Sequence, residues 1–194
     1  MILLNCPNCN KTINFDPIKY PPQILSISCP SCKNKISYDN RKKESLIPIP
    51  QDLLKNMPLL KDKSSIIIAE NENYLKILKE GVEEIGFFVK KIFKTVEEAA
   101  LFINQELPFL ILIQVENLPP PPFKSLEPIF LLNPNTRRNI FVCIMAPNVK
   151  TLDGNSAFLY QVNLLISTND ISSFHHHIVS SIIFEYNLKA HFKK

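Results

Sequence analysis

The chain has three glycines, Gly81, Gly86 and Gly154, scattered too widely to build a glycine-rich phosphate loop. ATP- or NAD-dependent chemistry of the common kinds therefore has no visible support. No apolar run approaches the roughly 20 residues that span a bilayer. A basic start followed by an apolar signal core is also missing, since the opening apolar residues give way at once to Asn5 and Cys6. We expect a cytoplasmic protein without a membrane anchor. Charge of one sign is scarce as well: a net +4 over 194 residues falls short of the dense basic face of phosphate-backbone binders. Hydrophobic residues at 45% against charged ones at 21% are enough to bury a core, which excludes a disordered tail or a fibre.

Five cysteines are present, four of them in close pairs, which fits metal ligands kept reduced better than a secreted disulfide framework. Cys6 and Cys9 enclose Pro7-Asn8, and Cys29 and Cys32 enclose Pro30-Ser31. A two-residue gap lets both sulfurs of a pair point to one centre, and two such knuckles complete a tetrahedron with no position open for substrate. We expect a structural Zn(2+) site on Cys6, Cys9, Cys29 and Cys32. An iron centre would use the same two pairs, and a dithiol redox couple would use one. Asn10 and Lys33-Asn34 follow the second cysteines where knuckles often use glycine, and asparagine tolerates a left-handed backbone. Residues 12–15, 24–28 and 35–38 read as short strands. The unit is too small to fold on apolar burial alone, so metal should carry much of its folding free energy. Basic residues including Lys11, Lys33 and Lys35 outnumber the acids here, but four thiolates would cancel much of that excess. Phe15, Tyr20 and Tyr38 could stack on bases, although aromatics in so small a unit more often form its core.

The ribbon is expected over 1–43, and 44–63 reads as a proline-containing linker. Pro48 and Pro50 push Ile47 and Ile49 into extended backbone. Leu53, Leu54, Met57, Leu59 and Leu60 are too apolar for a solvated tether, so part of 51–62 should lie against the larger domain.

From Ser64 onward, apolar runs alternate with helical patterns, which argues a parallel sheet with helices on both faces. The segments 66–68, 87–93, 109–115, 140–146 and 163–166 read as strands. Leu75, Leu78, Val82 and Ile85 recur at helical spacing before Gly86 stops the helix. Thr95-Val96-Glu97-Glu98 is a capping box for a second helix that ends at Pro108. Asp170 is expected to cap the last helix, whose Ile171, Phe174, Ile178, Ile182 and Tyr186 form one stripe.

These residues carry a resemblance. Ile66-Ile67-Ile68-Ala69-Glu70-Asn71-Glu72, Gly86-Phe87-Phe88-Val89, Thr95 to Ala100 and Pro108-Phe109-Leu110-Ile111-Leu112-Ile113 resemble, in order and spacing, the receiver domains of response regulators over 64–190. The resemblance implies the flavodoxin-like, doubly wound five-stranded sheet in the order 2-1-3-4-5. It also implies an acidic pair for magnesium, a phosphoacceptor aspartate, a hydroxyl and a lysine. Here those positions hold Glu70-Asn71, Gln114, Met145 and Ser167 or Thr168. A carboxamide has no anionic oxygen to attack phosphorus, so phosphotransfer at Gln114 is excluded and the domain resembles a pseudo-receiver. The cysteine unit similarly resembles bacterial zinc ribbons, which share no single function.

The remaining candidates receive structural readings. His175, His176 and His177 point about 100° apart around a helix, unlike a chelating pair, and are expected at a solvated helix start. Pro119 to Pro122 form the loop after the third strand, beside the former phosphorylation pocket. Cys143 lies in an apolar strand as a small buried hydrophobe. The overall expectation is a non-catalytic regulatory adaptor, not an enzyme, whose receiver-like domain binds a protein partner or a second copy of itself. The face of its fourth helix, fifth strand and fifth helix is the expected contact. The alternative is a transcription-linked regulator whose ribbon binds DNA or RNA. An enzymatic reading would need magnesium held by Glu70 and Glu116.

Overall fold

A computed structural model describes residues 2–15, 24–39, 46–55 and 60–191, which fall into two compact units, 1–44 and 45–194. In the first unit, β1 (Ile2–Asn5) pairs antiparallel with β2 (Thr12–Phe15), and β3 (Ile24–Ser28) with β4 (Lys35–Asp39). The opening strand was not expected; its apolar residues pair with β2 in the register Ile2 to Phe15. Its core is small, with Cys6, Cys29 and Ile36 buried and Ile13 and Cys32 packed against them. Phe15 is also buried, while Tyr20 and the Tyr38 side chain lie outside the described residues.

The second unit is a five-stranded parallel sheet in the order β6-β5-β7-β8-β9, which is 2-1-3-4-5 counted within the unit. The chain runs through α1 (Gln51–Leu54), β5 (Ser64–Ala69), α2 (Leu75–Glu84), β6 (Phe88–Phe93), α3 (Val96–Glu106) and β7 (Leu110–Gln114). It continues through α4 (Glu127–Phe130), α5 (Pro134–Arg137), β8 (Phe141–Ala146), α6 (Gly154–Leu159), β9 (Leu164–Ser167) and α7 (Phe174–His191). Successive strand residues point to opposite faces. Ile67, Leu112 and Cys143 meet α2 and α7 in one core, and Ile66, Ile111 and Val142 meet α3 and α4 in the other. This is the flavodoxin-like fold, with helices covering both faces of the sheet.

Local chemistry sets the helix ends. Thr95 accepts from the Glu98 N–H at 3.3 Å, Glu98 accepts from the Lys94 N–H at 3.1 Å, and Gly86 ends α2 at a φ of +93°. Between β7 and β8 the helical segments are only single turns, because Pro134 cannot continue a helix begun at Glu127. The last helix starts later than expected. Asp170 lies inside a preceding 3-10 segment, Thr168–Ser173, with non-helical backbone, and its carboxylate accepts from the Thr151 hydroxyl. Along the expected stripe Ile171, Phe174, Ile178 and Ile182 are buried, whereas Tyr186 is exposed.

Residues 46–55 belong to the second unit. Leu46 and Leu53 pack against the core, and Ile49 and Leu60 are buried in it; Met57 and Leu59 lie outside the described residues. The Ile47 N–H donates to the Ser172 carbonyl at 2.8 Å. The Ile47 carbonyl lies 3.0 Å from His175 Nε2 and 2.8 Å from His176 Nε2. With each Nε2 carrying the hydrogen, both rings donate to that one carbonyl. This corrects the expected solvated helix start: His175 is fully buried, because the extended strap closes over it.

Burial, foremost, and the neighbouring His176 push the His175 imidazole down to about 4, against the bond to Ile47, which favours its charged form. Glu84 Oε2 on α2 approaches its Nε2 at 3.6 Å, and His177, itself beside Asp170, adds a further opposing positive charge. An unfolded histidine titrates near pH ~6.5, so stability is full above that value and falls as pH drops toward the folded one. We expect urea unfolding followed against pH to show a loss of at most about 3 kcal/mol from this group, and His175→Gln to flatten the curve. Parallel curves for the two proteins would remove the assignment.

Gly81 on α2 sits against α7. A Cβ there would come 2.5 Å from the Phe174 ring and 3.2 Å from Leu46 Cδ2. Gly81→Ala should destabilise the second unit by about 1–3 kcal/mol despite the better helix propensity of alanine. An unchanged urea midpoint would show that the ring yields freely.

Candidate functional site

Both knuckles have the same backbone pattern. The Asn10 N–H donates to the Cys6 carbonyl at 2.9 Å and the Cys6 N–H to the Lys11 carbonyl at 3.0 Å. The Lys33 N–H donates to the Cys29 carbonyl and the Cys29 N–H to the Asn34 carbonyl, each at 2.9 Å. The left-handed residues are Asn10 at φ +55° and Lys33 at φ +58°. In the second knuckle the strained position thus falls on lysine, and Asn34 lies one residue further on.

These turns bring together the sulfurs of Cys6, Cys9, Cys29 and Cys32, all within 4.8 Å of one another. Cys6 Sγ is 3.5 Å from Cys32 Sγ and Cys9 Sγ is 3.7 Å from Cys29 Sγ, far beyond a disulfide. Such a cluster is able to hold a metal ion. The Asn34 N–H, and next the Asn8 side chain, pull the Cys32 thiol down to about 6. The N–H of Cys32 and then that of Ser31 act on Cys29 in the same direction. At Cys9 the Lys11 N–H lowers the thiol, but the sulfurs of Cys32, Cys29 and Cys6 together with desolvation outweigh it and push the group up to about 12. Four thiolates this close cannot all ionise unless a cation sits among them. Asn8 was not singled out from the sequence; its place between two cysteines was the available signal.

At the C-terminal ends of the second unit's strands, Gln114 is fully buried. Its Oε1 accepts from the Asn71 N–H at 3.0 Å, and its Nε2 donates to Glu116 Oε1 at 3.3 Å. Glu70 Oε2 accepts from the Glu116 N–H at 2.8 Å. Glu70, Asn71, Gln114 and Glu116 therefore form one network that ties the β5 loop to the β7 loop. Met145 is buried in the neighbouring strand, paired with Gln114. Ser167 Oγ accepts from the Asn169 N–H and so caps the next turn. The loop carrying the prolines is tied down: Leu118 exchanges two hydrogen bonds with the Asn148 side chain, and the Tyr160 hydroxyl donates to the Pro119 carbonyl at 2.7 Å.

No protein-family model matches the chain, and no curated protein matches it. Solved structures similar to it include receiver domains and response regulators. One is the signal receiver domain of a modulated diguanylate cyclase from Desulfovibrio desulfuricans, at 15% identity and TM-score 0.49, covering 66% of this chain and 99% of that one. A second is the anti-anti-sigma factor PhyR from Bartonella quintana, at 16% identity and TM-score 0.49, covering 71% of this chain and 54% of that one. The chain thus spans about half the length of the PhyR structure. A third is the Mn(2+)-bound response regulator Rcp1, at 20% identity and TM-score 0.45, covering 61% and 92% of the two chains. The fold assignment above rests on the strand order and needs none of these likenesses.

Cys143 is completely buried, and burial raises its thiol well above the ordinary range, in keeping with a packed hydrophobe. Among the described residues no helix is long and apolar enough to cross a membrane. The three histidines make no metal cluster among the described residues.

Replacing Gln114 by leucine would leave the Asn71 N–H without its acceptor inside the unit. Gln114→Leu should lower stability by about 1–3 kcal/mol and speed amide exchange at Asn71. Exchange at the parent rate would show that this bond does not hold the loop.

Proposed function

We propose that the chain is a non-catalytic regulatory adaptor, with a ribbon built on a structural zinc ion and a receiver-like unit that takes no phosphoryl group and binds another protein. Gln114 carries the proposal. A phosphoacceptor needs an anionic oxygen open to phosphorus, whereas this carboxamide is buried and bonded at both ends. Glu116 already accepts from Gln114, and the positions of the family's hydroxyl and lysine hold Met145 and Ser167 or Thr168.

The sulfur geometry is compatible with a four-thiolate zinc site. A tetrahedron with zinc–sulfur bonds of ~2.3 Å has an edge of ~3.8 Å. The two close sulfur pairs lie at 3.5 and 3.7 Å. Cys6, Cys9, Cys29 and Cys32 would fill all four positions, so the ion would hold the knuckles together and present nothing to a substrate. For the partner contact we propose the face around α6, β9 and α7, where Leu152, Phe158 and Leu159 stand exposed, Phe158 at 80%. Leu152 precedes α6 and Phe158 and Leu159 lie on it, and exposed large apolar side chains are the groups that contact surfaces use. The exposed Lys11, Lys33 and Lys35 of the ribbon favour a second reading, in which the ribbon binds nucleic acid.

One preparation tests these readings. The protein, purified without added metal, is analysed for zinc and iron, treated with acetyl phosphate and magnesium, weighed by mass spectrometry, and used to capture partners from its native lysate. The expected result is about one zinc per chain, no phosphoryl adduct and recovered protein partners. An adduct on the second unit would overturn the adaptor reading, and iron or no metal would overturn the zinc site. Recovery of nucleic acid whose binding weakens steeply with salt would put the second reading in its place.

A further inference from the structure

A cavity of about 270 Å³ opens at the N-terminal ends of β5, β7 and β8, at the opposite end of the sheet from Gln114. Much of its wall is apolar: Phe109 precedes β7, Phe141 begins β8, and Ile182 and Ile183 come from α7. The floor is held in place, since the Phe109 ring stacks on Phe87 at 5.8 Å between centroids. The size lies near the small end of ligand pockets, and the mix of many apolar walls with few charged groups is the usual character of such sites.

Three charged side chains also line it, Lys63, Arg138 and Glu185. Glu185 Oε1 accepts from Asn163 Nδ2 at 2.6 Å, and the half-buried Arg137 guanidinium lies close enough for its charge to be stabilised by that carboxylate. Arg137 itself is fixed by donating to the Ile140 and Gln161 carbonyls at 2.9 and 2.8 Å. The acid in the wall is thus already matched by groups behind it. Lys63 is different. It is half-buried, its Nζ stands 3.9 Å over the Phe109 ring, and among the described residues no carboxylate lies within ion-pair distance of it. A cation placed at the edge of an apolar chamber, over an aromatic floor, has the geometry to receive one anionic oxygen group while the walls take a hydrophobic body.

We propose that this cavity is a binding site for a small aromatic or branched aliphatic monocarboxylate, with Lys63 holding the carboxylate and Phe109, Phe141 and Ile183 enclosing the apolar part. The site lies in the second unit alone and does not depend on the adaptor reading.

The test uses the full chain, phenylacetate as probe and phenylacetamide as its uncharged counterpart, with amide chemical shifts as the readout. Phenylacetate should perturb the resonances of Lys63, Phe109, Phe141 and Ile183. Phenylacetamide, and phenylacetate with Lys63→Gln, should each bind about tenfold more weakly, the effect of losing one charge-assisted contact. Ile183→Trp, which fills the chamber, should abolish binding in a protein whose spectrum is otherwise that of the folded parent. Equal affinity for the amide, unaltered affinity in Lys63→Gln, perturbation confined to another surface, or no perturbation at about 10 mM would each overturn the proposal.

Discussion

The second unit is organised around strands with no exposed face. All of β7 and β8 is buried, and β5 is buried from Ser65 onward, so each backbone polar group there must bond to a neighbouring strand and each side chain must meet a helix. Parallel pairing satisfies the first demand and forces a crossover after every strand. Helices on both faces satisfy the second. The two hydrophobic layers that result place the strand ends, and with them Gln114 at one end and the Lys63 cavity at the other.

That arrangement places Gln114 where two loops leave the C-terminal ends of β5 and β7. The carboxamide of Gln114 bridges Asn71 and Glu116, and the Glu70 carboxylate is directed to the Glu116 backbone. These side chains join the two loops. A buried polar network of this kind is stable only when its members are satisfied.

The first unit obeys another constraint. Among the described residues its apolar core holds Cys6, Cys29 and Ile36, with Ile13 and Cys32 packed against them and Phe15 also buried. Apolar burial of that extent cannot offset the entropy of ordering so many residues. The sulfur cluster joins the two hairpins, and the amides directed at Cys29 and Cys32 favour negative charge there.

What was legible in the sequence depended on local pattern. The spacing of the four cysteines, the alternation of apolar runs with amphipathic stretches, the capping box at Thr95 and the carboxamide at position 114 are each readable within a short window, because short-range geometry dictates them. The strap, the burial of His175 and the cavity depended on the tertiary structure. Ile47 and His175 are 128 positions apart, and nothing local to either announces that one carbonyl will receive two imidazoles. Three consecutive histidines at a helix start look solvated until an extended segment closes over them. The cavity likewise draws its walls from three strand ends and α7. Sequence alone determined which elements form and which residue chemistry each carries; packing between distant segments decided which polar groups became buried, which were satisfied, and where space was left.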